Sequence, residues 1–291
     1  AASIRARLLR GAKERGEDFN LTLNRFAVER FLYRLSASPW QDKFLLKGAL
    51  LFHLWFDVPH RPTRDADFLG FLPEDVETLR RAVQEICAIE SDDAMAFHPD
   101  AMSIEEIRED ARYGGLRVRL PGHLGESRCA VQLDVGYGDV VTPGWQEMTL
   151  PTLLEGLPGP RLRTYPRETV LSEKLEAIVS LGMANSRMKD FYDIRALILE
   201  GALDPVVLPL AIAATFDRRG TPVPDGIALG LSDEFALDAA RQALWKAFLG
   251  KNRLDAPALP EVVAQIRDFL ATPMQAATHG PRGQPHRRMK P

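Results

Sequence analysis

The apolar positions change period several times along the chain. Over residues 22–37, Leu23, Phe26, Ala27 and Phe31 recur at three- and four-residue steps, with Arg30 and Arg34 on the same stripe. That spacing predicts a helix, with Asn20 or Thr22 as candidate caps and Pro39 closing the segment. A shorter helix is expected over 3–16. Phe44-Leu45-Leu46 reads as a buried strand running through Gly48 into a helix over 49–56, and 57–63 as a loop. Residues 65–70 suit a strand, and Pro73 suits the first position of a helix over 74–88. Residues 116–120 and 129–135 alternate apolar and polar, as half-buried strands do, and the turn-like 121–126 between them predicts a hairpin.

The character changes after Asp139. Residues 140–166, rich in Pro and Gly, read as a connector with one short strand. Helical periodicity then covers 169–182, 187–200, 204–217, 232–249 and 259–271, with Leu171, Leu175, Ile178 and Val179 forming the apolar stripe of the first. From Thr272 onward, Pro273, Pro281, Pro285 and Pro291 alternate with Arg282, Arg287, Arg288 and Lys290, a composition that predicts disorder. Strands in the first half followed by helices in the second predict an α+β fold, a mixed sheet with flanking helices followed by an all-helical domain. The expected organisation is a helical arm (1–40), an α+β core (41–150), a helical domain that completes the active site (151–271) and a basic tail (272–291).

Composition narrows the functional classes. The 291 residues are 45% hydrophobic and 26% charged, with a formal net charge of -3, which excludes a uniformly basic coat for bulk nucleic-acid binding. RNA contact would have to be local, with Arg112, Arg117, Arg119 and Arg128 or the basic tail as candidates. Two cysteines, Cys87 and Cys129, without a C-x-x-C, point to small buried hydrophobes in a reducing, cytoplasmic setting. No run approaches the roughly 20 apolar residues of a membrane span. There is no G-x-x-x-x-G-K-[ST], G-x-S-x-G or H-E-x-x-H, and Gly136-Tyr137-Gly138 lacks the third glycine of a dinucleotide fingerprint. His53, inside an apolar segment, reads as a core residue.

The chemistry lies in the acids. On a strand, Asp65 and Asp67 project from one face while Ala66 and Phe68 take the other. Two carboxylates so placed repel unless a cation lies between them, and hard oxygen ligands suit Mg²⁺. Upstream, Lys47-Gly48-Ala49 carries the strand into a helix, a backbone suited to cradle phosphate. In Gln132-Leu133-Asp134-Val135, Asp134 points away from the apolar face, and a third carboxylate beside the first two is how two-metal phosphoryl sites are built. Each of these also reads as a solvent-facing acid. Spacing alone makes Ser172-Glu173-Lys174 and Arg187-Met188-Lys189-Asp190-Phe191-Tyr192-Asp193 surface charge, with Lys189 and Asp193 an ordinary i,i+4 pair.

Taken in order, four motifs resemble those of the AbiEii/AbiGii nucleotidyltransferase toxins, the toxin half of type IV-like toxin–antitoxin and abortive-infection systems, related to mycobacterial nucleotidyltransferase toxins. They are Leu46-Lys47-Gly48-Ala49 leading to Arg64-Asp65-Ala66-Asp67; Gln132-Leu133-Asp134-Val135; Glu173-Lys174-Leu175 with Ala177; and Arg187, Lys189, Asp190 and Asp193. The resemblance spans about residues 20–200. It departs at Ala49, where many relatives carry Gly or Ser, so a phosphate there would rely on backbone N–H groups. The interval from Gly48 to Asp65 is also slightly long.

The resemblance implies a minimal nucleotidyltransferase fold, transfer of NMP from an NTP with release of pyrophosphate, and a cognate antitoxin protein; in some relatives the acceptor is a tRNA 3′ end. It implies Mg²⁺ on Asp65 and Asp67, with Asp134 completing a second metal site or deprotonating the acceptor. Lys174 would neutralise triphosphate charge and Asp193 would orient the nucleophile or Lys174. Lys47, Gly48, Ala49, Arg64, Lys189 and Asp190 would support the nucleotide. Loss of transfer with an intact fold is expected for both Asp65→Ala and Lys174→Ala. Alternatives are nucleotidylation of a protein or small molecule, or a catalytically inactive binding module.

Overall fold

The computed structural model describes residues 1–56, 60–63, 65–107 and 114–279. The chain divides into two compact units. The first comprises Ala1–Gly138 with Gln146–Thr164, and the second Asp139–Trp145 with Tyr165–Pro291.

The first unit begins with α1 (Ala2–Glu14) and α2 (Phe19–Ser36). The cap of α2 is neither Asn20 nor Thr22. Asp18 takes that place, its carboxylate accepting the Leu21 N–H at 3.0 Å. The strands β1 (Phe44–Lys47), β2 (Asp65–Gly70), β3 (Met95–Phe97), β4 (Ser103–Ile107), β5 (Gly115–Leu124), β6 (Ser127–Tyr137), β7 (Gln146–Thr149) and β8 (Arg161–Thr164) form one sheet. Among the described residues its order is β3-β5-β6-β2-β1-β8-β7, with β4 also pairing β5. Pairs β2–β6 and β1–β8 are parallel and the others antiparallel, so the mixed sheet is as expected.

The predicted hairpin is β5–β6, tighter than 121–126, because pairing continues to Leu124↔Ser127. The connector holds two strands rather than one, and β8 joins β1 at Leu46↔Thr164. Instead of a helix over 49–56 there is a 3₁₀ turn, Gly48–Leu51, and one α-turn, α3 (Phe52–Trp55). Pro73 precedes the next helix, α4 (Val76–Cys87), which Asp75 caps by accepting the Thr78 N–H at 2.7 Å.

Alternation gives the sheet one apolar face. Phe44, Leu46, Ala66, Phe68, Val131, Leu133 and Val135 are buried there, and α2 packs on β6 and β8 with Phe26, Phe31 and Leu35 fully covered. Phe44 and Phe68 meet edge to face, 5.5 Å between centroids. A buried ion pair ties α2 to the segment before β3. Arg34 donates to both oxygens of Asp93 at 2.6 and 3.0 Å and to the carbonyls of Ile89, Arg30 and Met95. Asp93 is 0% exposed and also accepts the Met95 N–H.

The second unit is helical: α5 (Arg167–Leu181), α6 (Met188–Glu200), α7 (Val207–Arg219), α8 (Asp233–Leu237), α9 (Ala239–Asn252) and α10 (Leu259–His279). Leu171, Leu175, Ile178, Phe191, Ile194, Phe216, Phe235, Val262 and Ile266 fill its core. The single helix expected over 232–249 is two, because Asp238 leaves helical geometry and caps α9 by accepting the Arg241 N–H. The last helix runs through Pro273 to His279, beyond the expected end at 271. The rest of the basic tail, like Arg64 and Arg112, lies outside the described residues. No helix among the described residues is long and apolar enough to cross a membrane.

Both cysteines are free, and burial pushes the Cys87 thiol up to about 12 and the Cys129 thiol to about 11, so neither is a nucleophile near neutral pH. Burial, and then Arg25, lowers His53 to about 4, which keeps it a neutral imidazole.

Removing one partner of the Arg34–Asp93 pair leaves an uncompensated buried charge. Asp93→Ala is expected to cost about 3–5 kcal/mol, read as a lower urea midpoint, and Arg34→Lys to cost less, because it keeps the charge opposite Asp93 and loses only the fork.

Candidate active site

The polar face of the sheet is built by strand register. Lys47 on β1 lies opposite Asp67 on β2, Asp67 opposite Asp134 on β6, and Asp134 opposite Arg117 on β5. One row of charge therefore crosses four strands in the sequence plus, minus, minus, plus. Asp65, two residues back on the same face, lies opposite Gln132. The like-charge step falls between Asp67 and Asp134, where the strands are parallel and the side chains emerge together.

Gly48 decides how closely the turn after β1 approaches these acids. Its φ is +74°, and a Cβ there would lie 2.1 Å from Oδ2 of Asp67. Only glycine meets both conditions. The absence of a side chain at Gly48 thus lets the turn pass directly against the Asp67 carboxylate. A 3₁₀ turn replaces the expected helix N-terminus, so the turn's amides, not a macrodipole, are what the backbone offers an anion. Lys47 reaches over β2, since a Cβ at Gly136 would stand 4.0 Å from its Nζ.

Asp134 is held on its outer side. Arg117 donates Nε–H to Oδ1 at 2.8 Å and Nη2–H to Oδ2 at 2.7 Å, and the Gln132 amide donates to the same carboxylate at 3.3 Å. Nothing in the spacing of Arg117 announces this role; the register of a hairpin of ten residue pairs creates it. Arg119 pairs with Glu105. Two of the candidate RNA-contacting arginines are therefore engaged with acids, and Arg128 is exposed.

The donor set fits a hard divalent cation at Asp65 and Asp67, two carboxylates on one face beside a turn that lacks a Cβ. Among the described residues, no group of three or more His, Cys, Asp or Glu is gathered at metal-holding spacing. The third acid stands in the Arg117 fork instead.

A second cluster lies within the helical unit, and it is not surface charge. Lys174 on α5 donates to Asp190 at 2.9 Å and pairs with Asp193 at 2.8 Å, both on α6. Both acids are 0% exposed. Arg187 holds the other Asp190 oxygen at 2.9 Å, and Lys189 is exposed. Burial raises the Asp190 carboxyl, but Lys174 and then Arg187 outweigh it and hold it below its ordinary value of 3.8. Spacing also missed Arg219 on α7, which reaches Asp139, Glu173 and Glu176, while Thr221 donates to Glu176 at 2.6 Å.

The polar face of the mixed sheet thus carries Asp-x-Asp beside a glycine turn, with a third acid on the neighbouring strand. The family model of the nucleotidyl transferase AbiEii toxin of type IV toxin–antitoxin systems matches residues 30–272, and the chain belongs to that family. Two solved structures are similar at 16% identity. JHP933 from Helicobacter pylori aligns with a TM-score of 0.44 over 86% of this chain and 89% of its own. A putative nucleotidyltransferase from H. pylori aligns with a TM-score of 0.43 over 86% and 92%. No curated protein matches.

Two predictions follow from the geometry. Gly48→Ala must relocate the Asp67 carboxylate, at an expected cost of about 1–3 kcal/mol in chemical denaturation. Because the folded carboxyl of Asp190 is depressed, the stability it contributes is present above the ordinary carboxylate range and is lost as pH falls through its lowered value. Lys174→Met reverses the sign. Burial then dominates, so a variant weakened at pH 7 should regain stability relative to wild type on acidification, in melts from pH 7 to 3.

Proposed function

We propose that this toxin-family chain transfers NMP from an NTP to an acceptor hydroxyl and releases pyrophosphate, with an RNA 3′ end of the tRNA type as acceptor. The observation that carries the reading is the contact between the side-chain-free Gly48 and the carboxylate of Asp67, on the face shared with Asp65. Asp65 and Asp67 would hold Mg²⁺, whose charge, when bound, offsets that of the triphosphate. The N–H groups at Gly48 and Ala49 and the Lys47 ammonium meet phosphate oxygens. The acceptor oxygen forms a bond to the α-phosphorus, the α–β bridging bond breaks, and pyrophosphate leaves with the electron pair. Asp134 takes the hydroxyl proton or contributes to a second ion.

Lys174 is assigned to charge on the triphosphate on its family-motif position alone, and within the helical unit Asp190 and Asp193 hold its ammonium in place. Lys189 adds exposed positive charge, and Arg64 is assigned to a phosphate or the acceptor on its motif position alone. The family's toxin–antitoxin setting supports a cognate antitoxin protein as partner.

The test is incubation with each α-³²P NTP, Mg²⁺ and total tRNA, resolved on a denaturing gel. Label on RNA is expected, falling by about 10²–10³-fold or more in Asp65→Ala. Lys174→Ala is the poorer control for chemistry, contrary to the expectation that its fold stays intact, because it removes an ammonium paired with two buried acids. Lys174→Arg keeps the charge and is expected to fold with reduced transfer. Label on protein or a small molecule would change the acceptor class, and no Mg-NTP binding at all would make the chain a binding module.

A further inference from the structure

We infer that Arg117 is the resident counter-ion of Asp134, a positioning residue that sets how tightly the carboxylate face takes a divalent cation. This rests on the proposed metal site at Asp65 and Asp67. Three acids share the face, and the register puts Asp67 directly beside Asp134. Lys47 flanks the row from one end and Arg117 from the other.

The Arg117 contact is a two-bond fork of 2.8 and 2.7 Å, with side chains 26% and 16% exposed, screened enough from water for charge to act at short range. The fork comes from the neighbouring strand, and the Gln132 amide, from Asp134's own strand, lies 3.3 and 3.5 Å from the two oxygens. The two short Arg117 bonds hold the carboxylate's orientation, and the longer Gln132 contacts are the ones a cation would displace. The same guanidinium opposes any cation that approaches Asp134. Arg117 therefore orients the third acid and weakens the site's hold on metal. A weakened hold suits an ion that arrives with its nucleotide rather than residing in the protein.

The test is Mn²⁺ titration of the full chain, followed by electron paramagnetic resonance and calorimetry at fixed ionic strength. The variants are Arg117→Met, Arg117→Gln, Arg117→Lys, Asp134→Asn and the Arg117→Met/Asp134→Asn double. Losing the charge in Met or Gln is expected to tighten Mn²⁺ binding by about tenfold, while Lys leaves it near wild type. The double variant should lose most of the gain, because the effect passes through Asp134. In turnover, Met and Gln should lower kcat more than they change the KM for NTP, and Lys should restore part of kcat. Unchanged or weaker Mn²⁺ binding in both Met and Gln would overturn the inference, as would a gain that survives intact in the double variant. Asp65→Ala and Asp67→Ala separate the two levels of the argument. If Mn²⁺ binding is indifferent to them, the metal site itself is wrong and the role of Arg117 falls with it.

Discussion

The parallel pairing of β2 with β6 forces two carboxylates together. Parallel neighbours in register send matched side chains out on the same face, and Asp67 and Asp134 are matched. The rest of the polar face answers that repulsion. Lys47 and Arg117 bracket the row, Gln132 adds a neutral donor, and Gly48 has no side chain where the turn passes against Asp67. The opposite face of the same strands is apolar and sealed by α2, so the acids cannot separate by turning over.

Much of this polar face was legible in the sequence because strand alternation is local. Asp-Ala-Asp-Phe and Gln-Leu-Asp-Val each state which residues go in and which go out. The register between strands is not local. It depends on where a hairpin turns and which strand lies beside which, and so the Arg117 fork had no signature beyond an arginine in an alternating run. The break at Asp238 and the continuation through Pro273 were missed for a similar reason. Periodicity carries through a residue that caps, and punctuation rules stop at a proline that the surrounding packing of α10 tolerates.

The helical half was legible as helices and misread as chemistry. Lys174, Asp190 and Asp193 look like solvent-facing charge because i,i+3 and i,i+4 spacing is what exposed ion pairs also show. Burial separates the two cases. Asp190 and Asp193 are fully covered, and the partner that makes this tolerable is on another helix, sixteen residues upstream of Asp190. The four family motifs found the residues that spacing alone had dismissed, and the alternating charges of Arg187, Asp190, Lys174 and Asp193 give a physical reason for their order.

The place of β8 in the sheet has a consequence for how the protein is made. The strands bearing Lys47, Asp65, Asp67 and Asp134 are complete once Tyr137 has been synthesised, but β1 remains an open sheet edge until Arg161–Thr164 emerges to pair with it. The acidic face and the strand that seals its edge are therefore separated in sequence by the turns and strand of residues 138–160. The strand that closes the sheet beside the carboxylates is thus supplied by the segment that follows all of them in sequence.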